Sequence, residues 1–133
     1  MAAYNKFQSW VEYKNEGANV GSDQFVVFLT NVAPSATNTV LSDITQIDYT
    51  NCSTRNLTMS SASQAGGTYT PVPVDLTLTA TGGSVGPFRY VGIFDDTVAS
   101  DPLVCWFDYG SSITLGAGET FLINFGSSLW SES

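Results

Sequence analysis

Histidine is absent from this chain, and basic side chains are nearly so: four Lys and Arg stand against twelve Asp and Glu. Without histidine there is no Ser-His-Asp or Cys-His relay and no His-bearing zinc site. Two cysteines, Cys52 and Cys105, are too few for a structural zinc site, and they bridge only if the fold brings their Cα atoms within about 7 Å; both are expected as free thiols. The net charge of −8 opposes the counterion release that drives nucleic-acid binding and disfavours anionic membrane surfaces. Neither GxxxxGK[ST] nor GxGxxG occurs. No apolar run approaches the ~18 residues of a membrane span, and the opening MAAYNKFQSW has no basic region with an apolar core behind it, so no export signal is expected there.

What is present is apolar and aromatic. Hydrophobic residues make up 43% of the chain and aromatic residues 13%, with only 12% charged, about half the usual share. The polar surface must therefore come mainly from Ser, Thr, Asn and Gly, a β-rich composition. At 133 residues the length suits one domain with one core.

Tyr4, Phe7 and Val11 fall at helical spacing with Trp10 beside them, Lys14 lies near the end and Gly17 follows as a stop; a short helix over about residues 4–15 is expected. Phe25 to Leu29 is a β-branched and aromatic run of strand length. Val40, Leu41, Ile44 and Ile47 fit either one helical turn or an extended cover strand. From Asp48 to Ala65 apolar anchors are few, and only Leu57 to Ser60 reads as a short strand, broken by Gly66-Gly67. Val72, Val74, Leu76, Leu78 and Ala80 alternate with polar residues and proline as one half-buried strand, whose start at Pro71 and Pro73 belongs at an edge.

FRYVGIF and LVCWFDYG are two further strands around the acidic loop from Asp95 to Pro102. In the first, apolar residues fall on both faces, so both faces should be covered, one by the core and the other by a further element or another subunit. A GAG turn at residues 116–118 leads to a last strand through Phe121, Ile123 and Phe125. The expected fold is mainly β: a single antiparallel β-sandwich over residues 1–133, jelly-roll-like, with one short N-terminal helix and an extended tail over 127–133.

Arg89 is an always-charged group on a strand with apolar neighbours, so it needs a carboxylate; Asp108, on the expected partner strand, is in reach, either within the chain or across a subunit contact. Leu129 and Trp130 sit in a polar tail, where a neighbouring subunit is a natural host. These four residues, Arg89, Asp108, Leu129 and Trp130, are the candidates for contact with another subunit or with a capsid. Asp95, Asp96 and Asp101 carry oxygen ligands suited to calcium but lack the EF-hand glycine and glutamate, so a solvated loop is the plainer reading. Trp10, Trp106 and Trp130 would serve either packing or a sugar platform. Asp75, Asp108 and Glu119 are the carboxylates in strand-like runs that a glycosidase pair would draw on.

Taken together, YNKFQSWVE, FLTNVAPSATNTVLSDITQI, TATGGSVGPFRYVGIFDDT and DPLVCWFDYGSSITLGAGETFLINF resemble a family of small proteins encoded among the structural genes of tailed bacteriophages. The resemblance covers most of the chain and is weakest from about Tyr49 to Asp75. It implies a head decoration (cement) protein without enzymatic activity or cofactor. Such a protein would act on the outer surface of the virion head, after a soluble stage in the host cytoplasm, by binding the major capsid protein as a dimer or trimer. A tail or fibre adaptor, or a carbohydrate-binding sandwich, is the alternative.

Overall fold

The computed structural model describes residues 4–126 and 128–130. Three residues, Tyr4–Lys6, form strand β1; helix α1 follows over Gln8–Glu16 and strand β2 over Phe25–Thr30. A single 3-10 turn at Leu41–Asp43 precedes β3 (Met59–Ala65), β4 (Thr68–Pro73), β5 (Leu76–Thr79), β6 (Val85–Asp95), β7 (Leu103–Leu115) and β8 (Thr120–Ile123). Every strand pairing is antiparallel: a four-stranded sheet in the order β1-β7-β6-β2, a β3-β4 hairpin and a β5-β8 pair. The fold is mainly β and sandwich-like with one short α-helix, and its pairing is compatible with a jelly-roll path.

The four-stranded sheet is covered on both faces, as the two-sided apolar pattern of β6 requires. Phe25, Val27 and Leu29 of β2, Val91 and Ile93 of β6, and Cys105 and Phe107 of β7 enter the main core with Trp10, Leu78, Ile123 and Phe125. Val26, Phe28, Phe94 and Leu103 enter a second cluster with Phe7 and Ile44. The cover on that second face is therefore the chain's own, from Phe7 and the turn around Leu41 and Ile44. With both faces buried, β2 is buried at all six positions.

The helix begins later than the apolar spacing predicts. Tyr4 pairs with Phe107 and Lys6 with Cys105 at the edge of the main sheet, and the Phe7 N–H donates to the Val104 carbonyl at 3.1 Å. A nine-residue helix is marginal alone, so the ladder offered by β7 captures the first residues. The predicted face splits accordingly. Tyr4 meets Phe107 edge-on, Phe7 enters the second cluster, Trp10 the main core, and Val11 stays exposed. The stop is as expected: the Gly17 N–H returns to the Tyr13 carbonyl at 2.8 Å, with Lys14 in the last turn.

Two more readings change. Gly66 and Gly67, at φ 60° and 85°, do not end a strand but turn it: two consecutive positive-φ residues suit the tight turn of a two-residue hairpin, and Ala65 pairs with Thr68 across it. The alternating run from Val72 to Ala80 is two strands in different sheets, divided at Val74 and Asp75. There the Val74 N–H leaves for the Thr58 carbonyl, and Asp75 accepts the Phe125 N–H at 3.0 Å.

Candidate functional site

Arg89 pairs within its own chain. Its Nε donates to Oδ1 of Asp108 at 2.8 Å and its Nη2 to Oδ2 at 3.1 Å, the parallel fork that guanidinium and carboxylate geometries share. The reason for the clip lies in the register. Phe88 pairs with Ile113 but Tyr90 with Asp108, so Arg89 alone stands opposite residues 109–112 of β7. Within that bulge Gly110 takes φ 84°, and its N–H donates to Asp108 Oδ1 at 2.8 Å. Hydrogen bonds from Arg89 and then Gly110 hold the Asp108 carboxyl below the usual carboxylate range, and the Asp108 hydrogen bond raises Arg89 in turn.

Both side chains are 39% exposed, so solvent screens the pair and its contribution is local. Asp108→Ala is expected to leave the melting transition nearly unchanged while the Gly110 amide exchanges faster with deuterated solvent. An unchanged Gly110 exchange rate would show that the bulge holds without the clip.

The second arginine does work that the sequence reading missed. Arg55 donates from Nη1 to the Val27 carbonyl at 2.6 Å, and its guanidinium lies 3.6 Å from the centre of the Tyr49 ring. Around it the stretch 47–57 covers the outer edge of β2. Ile47 N–H donates to Leu29 C=O, Val27 N–H to Arg55 C=O, Leu57 N–H to Phe25 C=O, and Leu29 N–H to the Tyr49 hydroxyl. An edge that would otherwise invite another strand is closed. The available signal was Tyr49 with Arg55, an aromatic and a cation in an otherwise Ser- and Thr-rich stretch.

Leu129 and Trp130 need no neighbouring subunit to leave water. Leu129 is buried in the main core, and its N–H donates to the Pro71 carbonyl at 2.8 Å; Trp130 meets Trp10 edge-on with ring centres 5.5 Å apart. At these two residues the tail lies against the chain's own core, while Ser127 and residues 131–133 of the expected extended tail lie outside the described residues.

The acidic loop does not gather its carboxyls. Asp95 is fully buried at the end of β6, where Oδ2 accepts the Tyr13 hydroxyl at 2.8 Å and Oδ1 the Thr97 N–H at 3.1 Å. Burial, then a hydrogen bond to the Asp23 carboxyl, pushes Asp95 up to about 6. Asp101 is raised by burial and by its neighbour Asp96. The three acids thus divide between two carboxyl pairs, and among the described residues no three His, Cys, Asp or Glu side chains are grouped to hold a metal ion.

No family model, no curated protein and no solved structure matches this chain. The alternatives rest on geometry alone. The three tryptophans do not form one sugar platform: Trp10 is buried in the main core with Trp130 against it, and Trp106 packs on Phe7 at 4.7 Å in the cluster on the sheet's other face. The strand carboxylates each hold backbone. Asp75 accepts the Phe125 N–H, Asp108 the Gly110 N–H and Glu119 the Gly116 N–H. Cys52 and Cys105 are free thiols, and burial raises both above the ordinary thiol value.

Proposed function

We propose that this chain is a non-enzymatic structural protein of a bacteriophage particle, a decoration protein that binds the outer surface of the head and bridges neighbouring major capsid protein subunits. The observation that carries this reading is where the resemblance falls on the fold. The stretches that carry the resemblance supply β1 and the start of α1, the end of β2 with its Leu41–Ile44 cover, and β6, β7 and β8, which make up most of the framework. The stretch where resemblance fades, from about Tyr49 to Asp75, supplies part of the cover over the β2 edge and then the β3-β4 hairpin, in which β3 is largely exposed and β4 half-buried. A packed framework with an exposed strand at its periphery suits a module that docks through its surface while the core holds its shape.

Charge supports the same reading. A net charge of −8 opposes unspecific clumping of free copies and would draw them to basic patches of a shell, where complementary potential speeds docking. The head is the proposed site of action, and the host cytoplasm the place where the chain waits before assembly.

The test is to add the purified protein to phage heads that lack it. Co-sedimentation with heads, together with a higher head melting temperature that follows the protein concentration, is the expected result. Recovery with tails alone would move the protein to an adaptor role, and binding to neither would remove the particle reading.

A further inference from the structure

The β3-β4 hairpin has one closed edge and one open one. On the outer side of β4 the Leu129 N–H reaches the Pro71 carbonyl, and Pro71 and Pro73 offer no N–H of their own. A strand residue points its N–H and C=O to the same side, so Pro71 faces away from β3, and its ladder partner Ala62 faces away from β4. The tight turn agrees: Ala65 and Thr68 close it as a hydrogen-bonded pair, which assigns Ser63 and Ser61 to the inner ladder and leaves Ala62 and Gln64 pointing outward. Among the described residues, no backbone bond from outside the hairpin reaches Met59–Ala65.

No charge and no proline on this edge repels another strand. Edges are commonly blunted by charge, proline or bulges, yet β3 is MSSASQA, with one irregularity at its base between Met59 and Ser61. From Asn56 to Val74 the chain has no charged residue at all, in a molecule of net charge −8.

We propose that β3 pairs antiparallel with β3 of a second copy of this chain, about a two-fold axis at Ala62, so that two hairpins become one four-stranded sheet. Ala62 then exchanges N–H and C=O with the copy's Ala62, Gln64 lies opposite the copy's Ser60, and Ser61 lies across from the copy's Ser63. A second copy fits for two reasons. The pairing is self-complementary, as a two-fold contact must be. The neutral hairpin is also a surface where two strongly acidic molecules meet without opposed charges, whereas a basic partner would be drawn to the acidic parts of the chain and not to this edge.

Sedimentation velocity over a concentration series tests the pairing. The unaltered chain is expected to show a monomer–dimer equilibrium. Ser61→Glu with Ser63→Glu places like charges opposite each other twice and is expected to weaken the dimer by about tenfold or more, with an unchanged melting transition at concentrations where both proteins are monomeric, because both side chains are exposed on the hairpin. Ser61→Lys with Ser63→Glu places opposite charges there and is expected to restore the dimer. A chain that stays monomeric at its highest soluble concentration, a dimer indifferent to these substitutions, or association only with a different protein would each overturn the proposal. It rests on the β3 edge alone: a dimer that fails to bind heads would sink the decoration reading and leave this one standing.

Discussion

Replacing Gly92 with alanine is expected to cost about 3 kcal/mol of folding stability, the upper part of the usual range for overpacking a core. Gly92 lies in the middle of β6, opposite Phe28 of β2 and Trp106 of β7. The Phe28 ring covers it so closely that an added Cβ would overlap the ring's Cζ and Cε2 atoms and lie 2.6 Å from Cε1. An aromatic ring lying across a glycine on the neighbouring strand is a recurrent way of packing a sheet. Here neither side has room to yield. Phe28 is fully buried, with the Phe7 ring 6.5 Å away, and Gly92 is tied into ladders on both sides. Urea unfolding checks this through a lower midpoint at an unchanged slope. A second variant separates overlap from any general intolerance of the strand: Gly92→Ala combined with Phe28→Ala should lose clearly less than the sum of the two single changes, because the new methyl occupies part of the space the ring vacates. A Gly92→Ala protein as stable as the unaltered chain would show that the ring is free to move aside.

Gly92 also marks how far the sequence could be read. Its strand was legible because Phe88 to Phe94 carries apolar residues on both faces, and β2 because Phe25 to Leu29 is continuously apolar. The pairing of Arg89 with Asp108 was legible because charge is so scarce that a guanidinium on this strand had few partners. The elements that were misread share one cause. Alternation reports which way a side chain faces, and not which sheet it faces. The run from Val72 to Ala80 therefore keeps its period across a break between two sheets, and Val74, in phase with the core residues, ends 49% exposed. Strand β3 fails the opposite test: an exposed hairpin strand needs no apolar period, so only its first residues, Met59 and Ser60, fell within the short strand expected at Leu57 to Ser60. Leu129 and Trp130 were assigned to a neighbour because their own surroundings in sequence are polar. Trp10, against which Trp130 packs, and Pro71, whose carbonyl takes the Leu129 N–H, lie far away along the chain, which no local pattern can reveal.

The second large effect is on pH. Asp95 is a buried acid whose proton is held more tightly in the folded chain than in the unfolded one, because burial and the adjoining Asp23 carboxyl both disfavour its charge. A group raised in this way stabilises the fold fully below its unfolded value of 3.8, and the contribution is lost as pH rises to about 6. Each pKa unit is worth about 1.4 kcal/mol, and Asp23 keeps partial access to solvent, so the loss across this window is set at ~2 kcal/mol after screening. Asp101, raised by burial and by Asp96, acts in the same direction, and so does the growing repulsion of an acidic chain as it leaves its pI of about 4.1. The opposing groups act lower on the scale. Asp43, Asp48 and Asp108 are held down mainly by hydrogen bonds, from the Thr39 backbone, the Thr50 side chain and Arg89 respectively, and what they contribute is lost only as pH falls below the ordinary carboxylate range. Stability should therefore peak near pH 4 to 5 and decline toward neutrality, which thermal melts across pH will read directly. Asp95→Asn isolates the cause. The amide keeps an oxygen for the Tyr13 hydroxyl, gives up the bond from the Thr97 N–H at every pH and has no proton to lose, so its curve should lie lower but run flatter between pH 4 and 6. If the two curves run parallel, the pH dependence belongs to overall charge rather than to the carboxyl that joins helix α1 to the end of β6.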